Sequence, residues 1–202
     1  MIISFFGQMA SGKDVSADYL FNQINTDNSW KRIAFANAVK NVFCDSFNVN
    51  RNFIEEWKRC SECPPGFLLP IRQSLQFIGD GFRKIQNDIW IDIALREAGN
   101  LLISDGRYLN EAKEISSRSG INVVLYRPGY VNDDPNPSEA QIRPISEFLN
   151  NNQDDGEILN YTKCPSELSY FNFFIRNDGS IEDLYVKINN KLIPFIKEKI
   201  KP

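Results

Sequence analysis

The residues best suited to chemistry stand near the start of the chain, at positions 7–13, and read GQMASGK. This stretch fits G-x-x-x-x-G-K, the pattern of a loop whose backbone N–H groups converge on phosphate oxygens. Its glycines permit a close approach of the backbone to an anion, and the positive end of the following helix points at the same place. The pattern predicts a phosphate-binding loop in which Lys13 reaches the β- and γ-phosphates of a nucleoside triphosphate.

The position after Lys13 departs from the common pattern, in which a Ser or Thr hydroxyl meets Mg²⁺. It is Asp14, whose carboxylate could hold the metal through water or contact a phosphoryl acceptor. Ser16 offers a hydroxyl two residues further on, but helix geometry directs it elsewhere. The sequence leaves these roles of Asp14 open.

A second group of chemical residues follows the apolar run 101–103, where Asp105 and Arg107 flank Gly106. This is where a carboxylate is expected after a buried strand, and the carboxyl ends of strands are where open α/β sheets bind ligands. Transfer between two phosphorylated molecules must neutralise charge on donor, acceptor and moving group, which guanidinium groups do well. The clustering therefore predicts a small-molecule kinase, with further arginines at 72, 83, 127 and 143.

Alternating strands and helices would position these residues, and this alternation indicates an α/β fold of three layers with a mostly parallel sheet between helices. Short apolar runs predict buried strands at 2–6, 32–35, 101–103, 123–126 and 171–175. Apolar spacing and end signals predict helices from Gly12, at 36–43, 71–82, 88–98 and 110–118, and after the S-x-x-D cap at Ser180. Residues 44–70 are interpreted as irregular.

Residues 128–169 break the alternation, with five prolines and eight acidic side chains against two basic ones. Long insertions in compact domains are usually functional lids or flexible segments, so we expect a mobile lid. Arg143 is the only arginine in this segment, and closure could bring it to the phosphates.

Composition excludes several classes of function. The 202 residues, 42% hydrophobic and with a net charge of −3, are typical of one globular domain and give no broad surface for nucleic acid or membranes. Without a membrane span or secretory signal, we expect a cytoplasmic protein. The chain has no histidine, which removes Ser-His-Asp and Cys-His catalysis. Cys60 and Cys63 have the spacing of half a zinc site, with only Cys44 and Cys164 to complete it.

Several segments together resemble the bacteriophage deoxynucleoside monophosphate kinases, over nearly the whole chain. They are residues 7–14, Arg72 to Asp80 with Arg83 and Trp90 downstream, Leu102 to Ala112, Arg127 to Gly129, and Asn177 to Ser180. The resemblance implies one domain over residues 1–202 with a five-stranded parallel sheet, an acceptor-binding region at 36–98 and a lid at 128–169. It implies ATP-dependent phosphorylation of deoxynucleoside monophosphates with Mg²⁺, and a homodimer.

The resemblance also implies roles for individual residues. Donor-nucleotide binding is expected of the loop and of two later segments, at Gly7, Ala10, Ser11, Gly12, Lys13, Asp14, Val15, Arg127, Asp178 and Gly179. Acceptor binding is expected at Arg72, Gln76, Arg83, Trp90, Arg107, Glu111 and Arg143. Catalysis is expected of Lys13, Asp14, Asp105 and Arg107, with the metal at Asp14 and Asp105.

Two alternatives stay open. A GTPase is disfavoured because the chain has no N-K-x-D guanine motif. The acceptor could instead be another small phosphorylated molecule, such as phosphomevalonate or dephospho-coenzyme A. The chain could also bind ATP without transferring its phosphoryl group, although that gives no reason for arginines beyond the donor site.

Overall fold

The computed structural model describes residues 1–130, 136–151, 156–157 and 166–200. The chain divides into two compact units. Unit 1 comprises Met1–Ile33 and Ala98–Pro202, and unit 2 comprises Ala34–Glu97. Unit 2 covers nearly the same residues as the predicted acceptor region 36–98.

Unit 1 is built on a parallel sheet. Its strands are β1 (Ile2–Phe6), β2 (Trp30–Ile33), β3 (Asn100–Gly106), β4 (Ile121–Tyr126), β5 (Gly156–Glu157) and β6 (Phe173–Arg176). Five of them pair in parallel in the order β2-β3-β1-β4-β6, and the two-residue β5 adds to the edge in antiparallel orientation. The five-stranded parallel sheet predicted from sequence is therefore confirmed, and β5 is an addition from the insertion.

The helices follow the predicted alternation. They are α1 (Lys13–Ile24), α2 (Ala36–Phe47), α3 (Arg51–Trp57), α4 (Ile71–Ile85), α5 (Ile89–Ala94), α6 (Leu109–Ser117), α7 (Pro137–Ala140), α8 (Arg143–Asn151), α9 (Ile181–Lys187) and α10 (Ile193–Ile200), with a π-turn between the last two. Among the described residues, every helix is too short or too polar to cross a lipid bilayer.

The main core of unit 1 lies between the sheet and the first and last helices. Ile3, Phe5, Val123 and Leu125 are completely buried there, and α1 adds Ala17 and Leu20 while α9 adds Leu184. The Ser180 cap is as predicted, since its hydroxyl accepts the N–H of Asp183 at 3.1 Å. Ile181 departs from the predicted apolar stripe because it is exposed.

Three predicted elements have different bounds. The second strand is Trp30–Ile33 rather than 32–35, because Phe35 already has helical backbone angles at the start of α2. The predicted irregular segment 44–70 contains the end of α2 and all of α3, which Asn50 caps by accepting the N–H of Phe53. Helix α5 ends at Ala94 instead of 98.

Unit 2 has its own aromatic core. Phe43, Ile54 and Ile71 are completely buried, and rings such as Phe67 pack around them. Trp90 is also buried, and its indole N–H donates to the carbonyl oxygen of Gly79 at 3.0 Å. Because that bond joins α5 to α4, Trp90 stabilises the unit, and its burial argues against the predicted contact with a substrate.

Candidate nucleotide site

The loop at residues 7–13, called the P-loop from here on, joins β1 to α1. Gly7 has φ 145°, and a Cβ there would collide with the carbonyl oxygen of Leu125 on β4. Gly12 has φ 102°, and a Cβ there would lie 2.6 Å from Nδ2 of Asn177. Both glycines are therefore required by backbone angle and by space, as a loop that wraps an anion demands.

The closing side of the P-loop is held by the segment after β6. The side-chain N–H of Asn177 donates to the carbonyl oxygen of Ser11 at 3.0 Å. Its backbone N–H donates to the carbonyl oxygen of Tyr126, at the end of β4, at 2.8 Å. Asn177 thereby fixes the P-loop against the carboxyl ends of two strands.

Lys13 lies buried across the P-loop. Its ammonium donates to the carbonyl oxygens of Gly7 at 2.7 Å and Gln8 at 2.6 Å. Burial, and second the charge of Arg107, lower the pKa of Lys13 from 10.5 to about 7, while the carboxylates of Asp14 and Asp105 oppose this shift. The four charged residues predicted for catalysis therefore lie within electrostatic reach of one another.

The two candidate metal ligands differ in their surroundings. Asp14 is exposed in the first turn of α1, with Oδ1 3.8 Å from Nη2 of Arg32. Asp105 is half-buried at the end of β3, next to an irregularity in the pairing with β1. The described residues contain no cluster of three metal-ligating side chains. Two carboxylates fit Mg²⁺ in kinases, where phosphates and water complete its coordination.

Arg107 is held by two carboxylates, from above and below in the sequence. Its backbone N–H donates to Oε2 of Glu111 at 2.8 Å, and that same oxygen accepts the N–H of Tyr108 at 3.0 Å. Its guanidinium forms a close ion pair with Glu139. Glu111 is buried, which argues against its predicted contact with an acceptor and makes it a residue that shapes the Arg107 turn.

Glu139 was not among the residues predicted from sequence. It lies on α7 within the insertion, is completely buried, and accepts the backbone N–H of Met9 in the P-loop at 2.9 Å. The available signal was Asn136 before Pro137, since an Asn cap followed by a proline at the first helical position marks a helix start. That signal predicts α7 but not where its carboxylate points.

The described part of the insertion packs on unit 1. Ile142, Ile145 and Leu149 are buried. Arg143 is half-buried at the first position of α8. The remainder of the predicted lid, residues 131–135, 152–155 and 158–165, lies outside the described residues, and so does Cys164.

Two predicted donor-site segments lie at strand ends. Arg127 is exposed directly after β4. Asp178 follows β6, where the ammonium of Lys187 donates to its Oδ1 at 2.8 Å and lowers the pKa of its carboxyl group. Gly179 leaves room for the cap of α9, because a Cβ there would lie 2.5 Å from the carboxylate of Asp183. These contacts order the segment 176–180.

In unit 2, the predicted acceptor residues share one face of a helix. Arg72, Gln76 and Arg83 are half-buried on α4, at spacings that place them along the same side. Nη1 of Arg83 lies 3.6 Å from Oδ1 of Asp80. Unit 2 thus presents a polar stripe with two guanidinium groups.

Comparison with known proteins gives distant similarities. No family model matches the chain. Over 168 residues, covering 73% of this chain and 85% of the relative, it is 25% identical to a protein of Acanthamoeba polyphaga mimivirus named "Putative deoxynucleotide monophosphate kinase".

Solved structures of lower identity were also found. A shikimate kinase from Aquifex aeolicus is 15% identical, with full coverage of both chains and a TM-score of 0.48. A shikimate kinase from Acinetobacter baumannii is 16% identical, with coverage of 99% and 95% and a TM-score of 0.45. A dephospho-CoA kinase from Campylobacter jejuni is 15% identical, with coverage of 98% and 97% and a TM-score of 0.42.

The fold follows from the chain's own geometry. A parallel sheet of order β2-β3-β1-β4-β6 carries a glycine loop between its central strand and the helix that follows, and Lys13 begins that helix. This arrangement is the α/β P-loop fold of small-molecule kinases.

Proposed function

We propose that this protein transfers the γ-phosphoryl group of ATP to a deoxynucleoside monophosphate, giving the diphosphate and ADP. The observation that carries the proposal is the position of Lys13, buried in a closed glycine loop within electrostatic reach of Arg107, Asp14 and Asp105. A cation buried this deeply needs an anionic partner, and a polyphosphate supplies it. The similarity to the mimivirus protein supports the choice of acceptor.

The donor would bind along the carboxyl ends of the central strands. The P-loop amides and Lys13 would hold the β- and γ-phosphates. The segment 177–179, which Asn177 ties to Ser11, would lie beside the base, and Arg127 would cover the nucleotide from the end of β4. When bound, Mg²⁺ neutralises phosphate charge, and Asp14 and Asp105 are the residues that would hold it.

The acceptor would be held by guanidinium groups. We assign Arg72, Gln76 and Arg83 of unit 2 to the acceptor nucleotide, because two arginines on one helix face suit a phosphate monoester. Arg107 would contact the acceptor phosphate and the moving phosphoryl group, and Arg143 would assist from the insertion. Arginine suits this work better than lysine because its planar group binds two oxygens at once.

The reaction needs no covalent intermediate on the protein. An oxygen of the acceptor phosphate attacks the γ-phosphorus in line, forming a new P–O bond as the bond to the β–γ bridging oxygen breaks and ADP leaves. Lys13, the P-loop amides and Arg107 stabilise the negative charge that spreads over the transferred group. Their contribution lies in orientation and electrostatics.

The deciding experiment measures ADP formation from ATP and Mg²⁺ with each of the four DNA monophosphates and their ribose counterparts. Turnover that depends on a deoxynucleoside monophosphate supports the proposal. Turnover only with dephospho-coenzyme A or phosphomevalonate would move the chain to another acceptor class. ATP binding without turnover with any acceptor would make it a nucleotide-binding module.

The matched control for that assay is Lys13→Met. Loss of one charged donor to the transferred group is expected to lower kcat by about 10²–10³-fold. Lys84→Gln serves as the comparison variant, because Lys84 is an exposed lysine at the end of α4 and its loss should leave turnover unchanged. Equal turnover of parent and Lys13→Met would contradict the assignment of the P-loop.

A further inference from the structure

The insertion reaches the nucleotide site through one buried carboxylate. One oxygen of Glu139, Oε2, accepts the N–H of Met9 at 2.9 Å, and the other, Oε1, pairs with the guanidinium of Arg107. Glu139 is completely buried, while the side chain of Arg107 is 27% exposed. A single side chain therefore joins the P-loop to the arginine after β3.

Glu139 sits on a fixed support. Asn136 caps α7 by accepting the N–H of Ser138 at 3.0 Å. Two residues after Glu139, Oε1 of Gln141 accepts the N–H of Leu109, the first residue of α6, at 3.1 Å. Ile142 then enters the core with no exposed surface. Because both sides of Glu139 are anchored, its carboxylate has a defined position relative to Arg107.

The charges around this carboxylate explain its presence. Arg107 and Lys13 are like charges within electrostatic reach of each other, and Lys13 is buried. A buried carboxylate is costly unless it is paired and hydrogen-bonded, and Glu139 has both kinds of partner. Its negative charge offsets that of Arg107 and gives the guanidinium one preferred direction, since an ion pair with a fixed carboxylate restricts the arginine's rotamers.

We propose that Glu139 is a positioning residue, which holds Arg107 and the Met9 amide in the orientation that phosphoryl transfer requires. This inference rests on the proposed function, because Arg107 is the group through which Glu139 would act on the reaction. It also makes the insertion part of the catalytic apparatus, independent of any motion of its remaining residues. Glu139 itself would not contact the nucleotide.

The test uses Glu139→Gln, since the amide oxygen of Gln can still accept the Met9 N–H while the charge that holds Arg107 is lost. Misplacement of a catalytic group by a fraction of an ångström to 1 Å is costly, so kcat should fall by about 10- to 100-fold. The KM for ATP should stay within about threefold, because most donor contacts remain. Glu147→Gln, at an exposed position of α8, is the matched control and should behave like the parent.

A double variant separates positioning from a general loss of structure. If Glu139 acts through Arg107, Glu139→Gln should cost little further kcat once Arg107→Gln is present. Additive losses, or an unchanged kcat in the single variant, would overturn the proposal. A lower KM for ATP together with a higher kcat would also overturn it, since that result identifies a carboxylate that competes with phosphate.

A structural readout keeps this inference distinct from the proposed function. In the full-length protein, the side-chain Nε–H signal of Arg107 should be ordered by ¹⁵N NMR relaxation in the parent and mobile in Glu139→Gln. An equally ordered signal in both would contradict the inference whatever the enzyme's acceptor. If Glu139→Gln does not fold, Glu139→Asp retains the charge on a shorter arm, and it should give mobility and kcat between those of the parent and Arg107→Gln.

Discussion

The side-chain N–H of Asn177 donates to the carbonyl oxygen of Ser11 across 3.0 Å, joining residues 166 positions apart. The same amide group lies where a Cβ on Gly12 would be, 2.6 Å from it. Asn177 and Gly12 are therefore a matched pair, because the glycine leaves space that the asparagine uses to hold the P-loop. The segment after β6 thus influences phosphate binding without any need to contact phosphate.

Replacing Asn177 with alanine should loosen the P-loop. The hydrogen bond to Ser11 is lost, and a bond of this kind contributes about 0.5–1.5 kcal/mol, so the KM for ATP should rise by up to about tenfold. The KM for the acceptor should not change. Asn189→Ala is the control, because Asn189 donates to the hydroxyl of Tyr19 at an exposed position. Steady-state kinetics measure both variants, and an unchanged KM for ATP in Asn177→Ala would contradict the role given to Asn177.

The buried Lys13 should make stability depend on pH. Its pKa is about 7 in the folded protein, below its usual 10.5, so the unfolded chain binds more protons between these values. The free energy of unfolding should therefore rise with pH across this window, by at most about 1.4 kcal/mol per pH unit from this group. The cost of burying the ammonium is fully present below pH 7.

Lys13→Met isolates this contribution. We expect the parent to gain stability relative to Lys13→Met as the pH is raised from 7 to 9.5, with the variant at least as stable as the parent at pH 7. Urea unfolding at several pH values measures the difference between the two proteins. A difference that stays constant over this range would show that the pKa of Lys13 is not lowered by folding.

The sheet and the P-loop could be predicted from the sequence because both are encoded locally. The run Ile2–Phe6 is continuous and apolar, as a strand buried on both faces requires, and it leads directly into the glycine pattern. The spacing of Ala17 and Leu20 then indicates a helix packed on the sheet. Each of these signals needs only neighbouring residues.

The partners of the site residues could not be predicted, because they depend on contacts between distant segments. Glu139 lies 130 positions from Met9, and only the packing of the insertion brings the two together. Glu111 was predicted to contact substrate, but its carboxylate accepts two backbone N–H groups at the start of its own helix. In both cases the residue type indicated a site, and tertiary structure decided whether it faces a ligand or supports one that does.

The arginines of α4 should act on the acceptor alone. Arg72→Gln and Arg83→Gln each remove a charged hydrogen-bond donor, which contributes about 1.5–3 kcal/mol to a phosphate contact, so the KM for the deoxynucleoside monophosphate should rise by about 10- to 100-fold. The KM for ATP should stay within about threefold. Acceptor titrations at saturating ATP provide the measurement, with Lys84→Gln on the same helix as the control. A rise in the KM for ATP instead would place these arginines at the donor.

Gly106 should be intolerant of even one added methyl group. It pairs in register with Phe6, and a Cβ would lie 2.6–2.8 Å from that ring, which is completely buried and packed edge-on against Phe171. Overpacking of this kind costs about 1–3 kcal/mol, so Gly106→Ala should lower the free energy of unfolding by that amount. The shift of β3 should also reduce kcat, since Asp105 and Arg107 flank the substitution. Gly81→Ala is the control, because a Cβ on Gly81 meets nothing within 4 Å and alanine favours helix α4 by about 0.5–1 kcal/mol. Chemical unfolding of both variants tests the contrast, and equal stability of Gly106→Ala and the parent would show that Phe6 can move aside without cost.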